Sequence, residues 1–165
     1  MNRTERCTYI RTPKAIVFAA LASGVVSLFG SLPANAAVLS VGPANGTGGG
    51  FVCADVRGGN IAIQTPVEAY DCHAGPNQQY EFNGRTIYAL GGQRCLDIRG
   101  GSVAAGTLVD SYTCNGGSNQ AWEYLDGAIY NPASEKCLDA TNMANGTQLV
   151  INPCNGGTSQ TWQIK

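Results

Sequence analysis

The chain has 165 residues, of which 44% are hydrophobic and only 13% charged. From residue 37 onward six Lys and Arg stand against ten Asp and Glu, a formal charge of −4, with no basic run. That balance excludes a surface built to neutralise phosphates, so no nucleic-acid partner is expected.

Residues 1–36 read as a secretory signal peptide. Arg3, Arg6, Arg11 and Lys14 form a positive leader, Ala15 to Leu32 is apolar without charge, and Ala34-Asn35-Ala36 is a small-x-small cleavage signal. Gly24, Gly30 and three serines dilute the apolar run, which weakens the rival reading of a retained membrane anchor. The remaining 129 residues, 37–165, suit one domain and leave no room for a second. That domain is expected outside the cell.

In chain order, an opening strand is predicted at Val38 to Val41, followed by a glycine-rich insertion from Asn45 to Gly50. Three copies of one pattern then begin at Cys53, Cys95 and Cys137, each 42 residues after the last. They run from Cys-Ala-Asp-Val-Arg-Gly-Gly to Asn77-Gln78-Gln79-Tyr80, from Cys-Leu-Asp-Ile-Arg-Gly-Gly to Asn119-Gln120-Ala121-Trp122, and from Cys-Leu-Asp-Ala to Ser159-Gln160-Thr161-Trp162. A fixed period of this kind means one supersecondary unit repeated around a shared core, with repeats at about 38–82, 83–124 and 125–165.

Asn83-Gly84, Asp126-Gly127 and Asn145-Gly146 mark tight turns between short apolar runs, and no helical period appears, so the domain reads as all β. The second copy predicts strands near Thr86 to Leu90, Cys95 to Ile98, Leu108 to Tyr112 and Ala121 to Tyr124. The third predicts Ala128 to Tyr130, Cys137 to Ala140, Gln148 to Asn152 and Thr161 to Ile164, for twelve strands in three fours. Sugar-acceptor sequons stand at Asn45 and Asn145.

Each copy carries two cysteines, and a threefold chain should pair each copy alike. Cys53 with Cys72, Cys95 with Cys114 and Cys137 with Cys154, separated by 19, 19 and 17, are the expected disulfides. Each closes a loop that stabilises a small secreted domain by roughly 3 kcal/mol. Thiolates so far apart, with only His73 nearby, lack the close ligand pairs of zinc motifs, and no metal or cofactor is expected.

Three copies of Cys-x-Asp, a second cysteine and a closing Gln-x-aromatic step resemble the ricin B-type β-trefoil lectins, which also occur as carbohydrate-binding modules on secreted glycoside hydrolases. The resemblance covers about residues 38–165; the family's closing Gln-x-Trp becomes Gln-x-Tyr at Tyr80. It implies a six-hairpin barrel and cap, no catalytic machinery, and up to three shallow sugar sites.

A sugar pocket needs oriented acceptors and donors for hydroxyls and a flat wall for the C–H face of the ring. Copy one offers Asp55, Glu68, Tyr70, Asn77 and Gln78; copy two offers Asp97, Asp110, Tyr112, Asn119 and Gln120. By resemblance Asp55 and Asp97 accept hydroxyls, Tyr70 and Tyr112 stack, and Asn77 and Asn119 complete the rim. Copy three keeps Asp139 and Gln160 but has Val150, Asn152 and Ser159 at the other positions, so it is expected to be structural or to bind very weakly.

Plainer readings stand beside these. Tyr80, Trp122 and Trp162 are expected in the core, and Gln78, Gln120 and Gln160 either hold the core or orient the aspartates. Arg57 and Arg99 read as solvated turn charges, and His73 receives no role. Paired carboxylates could suggest glycoside hydrolysis, but a shallow pocket gives little of the desolvation that tunes such a pair. A trefoil recognising protein, with vestigial sugar pockets, is the alternative from another class. The resemblance implies as partner a polysaccharide or glycoconjugate of galactose or xylan type, with a glycoside hydrolase as a possible associate.

Overall fold

The computed structural model describes residues 36–42 and 50–165. The predicted signal peptide up to Asn35, the Asn45 sequon and nearly all of the glycine-rich insertion lie outside the described residues. Lobe one contains β1 (Ala37–Val41), β2 (Val52–Val56), β3 (Thr65–Asp71) and β4 (Gln79–Asn83). Lobe two contains β5 (Thr86–Ala89), β6 (Arg94–Ile98), β7 (Thr107–Tyr112) and β8 (Glu123–Leu125). Lobe three contains β9 (Ala128–Asn131), β10 (Lys136–Asp139), β11 (Thr147–Gln148), β12 (Val150–Asn152) and β13 (Trp162–Ile164). The twelve expected strands thus appear as thirteen segments, because the third strand of lobe three is interrupted at Leu149. That residue is fully buried, and its N–H leaves the lobe to reach the Val67 carbonyl at 2.8 Å.

Two threefold arrangements build the fold. The first and last strands of each lobe form a ring: β1 pairs with β13 and β4, β4 with β5, and β8 with β9. The ring is completed by the Trp122 N–H on the Arg85 carbonyl and the Trp162 N–H on the Gly127 carbonyl. The second and third strands form hairpins β2–β3, β6–β7 and β10–β12. Their third strands close a triangle, β3 with β7, β7 with β12, and β11 with β3. This barrel and triangular cap is the β-trefoil, and the three predicted disulfides are all present.

Strand alternation places chemistry and core on opposite faces of each hairpin. In β2, Val52, Ala54 and Val56 join the core cluster, so Cys53 and Asp55 face the other way. Register then sets Tyr70 of β3 across from Cys53, and Glu68 across from Asp55. Lobe two repeats this with Tyr112 across from Cys95 and Asp110 across from Asp97.

Tyr80, Trp122 and Trp162 occupy equivalent places in the core and are 1–2% exposed. Each indole N–H donates to a strand carbonyl, Trp122 to Leu96 and Trp162 to Leu138, both at 3.0 Å. The Tyr80 hydroxyl is buried without a partner among the described residues. Burial first, and the Asp55 charge second, push its pKa far above the usual phenol value. An orphaned buried hydroxyl costs about 1–3 kcal/mol. Tyr80→Phe is therefore expected to raise stability by about 1 kcal/mol in urea unfolding; a clear loss would show that the hydroxyl is bonded after all.

Candidate functional site

The aspartate after each strand cysteine is almost completely buried, and amides clasp it. In lobe one, Asp55 Oδ1 accepts from Asn77 Nδ2 at 2.8 Å, and Oδ2 accepts from Gln78 Nε2 at 2.9 Å. Gln78 also donates to the Asp71 carbonyl, while its Oε1 accepts the His73 N–H, so one buried amide ties the aspartate to the loop after β3. Gln120 and Gln160 repeat this role, donating to Asp97 and the Thr113 carbonyl, and to Asp139 and the Pro153 carbonyl. The glutamines thus orient the aspartates from within the fold and are not at the rim.

Around each of the first two aspartates lies an open depression. In lobe one it measures about 370 Å³ and is lined by Asp55, Gly58, Glu68, Tyr70, His73 and Asn77. In lobe two it measures about 270 Å³, and Asp97, Asp110, Tyr112 and Asn119 line it together with Arg99 and Asn115. Tyr70 is 41% exposed and Tyr112 half-buried, so both rings remain open to a ligand on one side.

Glu68 and Asp110, expected among the carbohydrate-site residues, are buried and engaged by arginine. Asp110 receives a fork from Arg99, Nε to Oδ2 at 2.6 Å and the terminal nitrogen to Oδ1 at 2.7 Å, and Gln148 of lobe three donates to Oδ1 at 2.8 Å. Arg57 makes a single hydrogen bond to its acid, Nε to Glu68 Oε2 at 2.5 Å, and its terminal nitrogen donates to the Gly146 carbonyl at 3.4 Å. The charge-assisted fork on Asp110 fixes the Arg99 guanidinium plane, and Asp110 raises the Arg99 pKa, its hydrogen bond outweighing burial. Arg57 and Arg99 are therefore both anchored by an acid, a correction to their reading as free turn charges, and Arg99 is a wall of the lobe-two depression. The turns that hold them need two successive left-handed residues, φ 62° and 63° at Gly58-Gly59 and 63° and 66° at Gly100-Gly101.

His73, which sequence reading left without a role, places Nε2 at 3.2 Å from Asp55 Oδ2. Its Nδ1 accepts the Gly75 N–H at 3.1 Å, so Nε2 carries the proton and donates to Asp55. Lobe two has Asn115 on the wall instead. There both amides bond the same oxygen, Asp97 Oδ2, and Oδ1 accepts nothing from the described residues. The two clasps thus differ: Asp97 presents a free acceptor atom, whereas Asp55 already holds three donors.

In lobe three, Asn152 takes the aromatic position and donates to Asp139 Oδ2 at 3.0 Å, and the Thr141 N–H fills Oδ1 at 2.7 Å. Val150 stands across from Asp139 in place of the second acid. Burial pushes the Asp139 pKa up, but hydrogen bonds from Gln160, Asn152, Ser159 and the Thr141 N–H outweigh it, and the net direction is down. Its stabilisation is present above the ordinary carboxylate pKa and is lost as pH falls through the depressed folded value. Asp139→Ala is accordingly expected to lower stability by roughly 1–3 kcal/mol while leaving saccharide binding unchanged, as thermal unfolding and a binding titration on one sample would show.

Residues 44–162 match the family model of the ricin-type β-trefoil lectin domain. The chain belongs to this family. Among solved structures, a non-toxic homologue of type II RIPs from Momordica charantia, in complex with α-methyl-D-galactoside, is 24% identical. That match has a TM-score of 0.67 and covers 79% of this chain and 47% of the other. The C-half of an earthworm R-type lectin, in complex with GalNAc, is 17% identical with a TM-score of 0.63, covering 79% and 98%. An exo-β-1,3-galactanase from Clostridium thermocellum is 24% identical with a TM-score of 0.66, covering 80% and 30%. The lectin chain thus spans under half of the plant protein and nearly all of the earthworm half. No curated protein matches it in sequence.

Proposed function

We propose that this lectin is secreted and binds glycans through lobes one and two, with lobe three serving the fold. The observation that carries the reading is the convergence of an aspartate, an amide and an open tyrosine face on one depression in two lobes. In the third, Asn152 replaces the ring and Asp139 is saturated. Asp97 Oδ1 accepts a ring hydroxyl, Asn119 donates to its neighbour, and the sugar's C–H face lies on Tyr112. Asp55, Asn77 and Tyr70 do the same in lobe one once a hydroxyl competes with His73.

A shallow pocket of this kind holds one sugar ring at about millimolar Kd, or about −4 kcal/mol. Two pockets on one rigid body gain avidity on a polymer or a glycan-dense surface. Galactose-terminated glycans and xylan-like chains are the proposed ligand classes, with a glycoside hydrolase as a possible companion. No catalytic step is assigned, since both Asp110 oxygens are already engaged by Arg99 and Gln148. Glycan-array screening of the protein and of Asp55→Ala with Asp97→Ala tests the reading. Signal lost in the double variant supports it; a folded, disulfide-bonded protein without signal favours protein recognition instead.

A further inference from the structure

Every lobe has one residue in left-handed conformation just before its third strand, and its N–H donates to the third strand of the next lobe. Gly106 (φ 79°) donates to the Ile151 carbonyl at 2.8 Å, and Gly146 (φ 79°) to the Ala69 carbonyl at 2.9 Å. In lobe one the residue is Gln64 (φ 61°), donating to the Ser111 carbonyl at 2.9 Å. An unbranched side chain is disfavoured there, and glycine is the ordinary solution, which the other two lobes use.

The cap triangle determines what this residue faces. Thr65 pairs with Ser111 and Pro66 with Asp110, which brings Gln64 level with Tyr112. By the same register Gly146 comes level with Tyr70, and Gly106 with Asn152. The aromatic wall of lobe one therefore borders a glycine, whose carbonyl takes a hydrogen bond from Arg57 at 3.4 Å. The wall of lobe two borders an exposed amide side chain. Gln64 indeed lines the lobe-two depression, as its one contribution from another lobe.

We infer that Gln64 is a specificity-determining residue of lobe two, extending that pocket across the lobe boundary so that it reads a second sugar ring beyond the one on Tyr112. The inference rests on lobe two being a sugar site. An amide both donates and accepts, which suits the adjacent hydroxyls or glycosidic oxygen of a linked ring. It stands on the far side of Tyr112 from the Asp97 clasp in the sense of the sheet, since β3 borders β7 on the edge away from β6. Unfavourable backbone geometry kept at a pocket wall, where sister positions relax to glycine, is the pattern expected of a residue retained for its side chain. Lobe one, bordered by Gly146, has no such extension and treats single rings and chains alike.

The test compares the intact protein with Gln64→Gly, which installs the residue of the other two lobes, and with Gln64→Asn, whose shorter amide tolerates the left-handed backbone. Galactose against lactose, and xylose against xylobiose, are titrated while the Asn119 and Asn77 side-chain amide signals are followed separately by NMR. At Asn119 the disaccharide of the pair that binds should be favoured, and Gln64→Gly should weaken it by about three- to tenfold with the monosaccharide unchanged. Asn77 should be unaffected by either variant. Equal loss of both sugars, or no loss of either, overturns the inference while leaving lobe two a sugar site. Absence of any sugar response at Asn119 in the intact protein overturns the sugar reading of lobe two and this inference with it. Gln64→Gly should also melt higher, which excludes misfolding as the cause of a loss.

Discussion

Replacing Asp97 by alanine is expected to cut saccharide affinity at lobe two by roughly ten- to a hundredfold, the effect of removing a hydrogen bond to a charged acceptor. Asp97 has the one clasp oxygen that accepts nothing from the described residues, because Asn119 and Gln120 share Oδ2. Asp55→Ala should cost less, since Asn77, Gln78 and His73 already occupy its oxygens. The comparison has a pH signature. Burial, with the Asp110 charge adding to it, raises the Asp97 pKa against the hydrogen bonds from Gln120 and Asn119. A raised acid contributes stability that is present at low pH and lost as pH rises through its folded value. Ligand binding runs the other way, for a hydroxyl needs the anion. Lobe-two affinity should therefore fall on acidification before an ordinary aspartate would protonate. Calorimetric titration across the acid range checks this, and affinity held constant well into the ordinary carboxylate range would contradict it.

Trp162→Ala should be the most damaging single change to the fold. The indole is 1% exposed, and its removal leaves a cavity costing roughly 3–5 kcal/mol and orphans the Leu138 carbonyl. Against a total stability of about 5–15 kcal/mol, that loss consumes a large share of the margin. The backbone of Trp162 also closes the ring of strands through Gly127, so the defect sits where lobe three meets lobe one. Trp162→Tyr keeps a ring as Tyr80 does and should cost less than the alanine. Urea unfolding orders the two, and equal losses would show that the indole N–H, not volume, dominates.

Much of this architecture was legible because the repeat carries its own register. The 42-residue period, the paired cysteines and the Cys-x-Asp alternation specify which face bears the core and which the aspartate. The roles of Arg57 and Arg99 were not, because an arginine in a turn is ordinarily solvated and its acid partner lies 11 residues away across a hairpin. A signal did exist: arginine follows the Cys-x-Asp step only in the lobes that carry Glu68 or Asp110, and lobe three has lost both, with Thr141 and Val150 instead. His73 and Gln64 were hidden for another reason. Each has no counterpart of its type in the other copies, so repetition, the source of the remaining inferences, is silent about them.

Under the proposed function two lobes hold sugar and the third does not. A crystal structure after soaking with the disaccharide that titrates best tests it most directly. Rings resting on Tyr70 and Tyr112, with hydroxyls on Asp55 and Asp97 and nothing beside Asn152, are the predicted result. Sugar bound at Asn152, or bound elsewhere with both tyrosine faces bare, would contradict it.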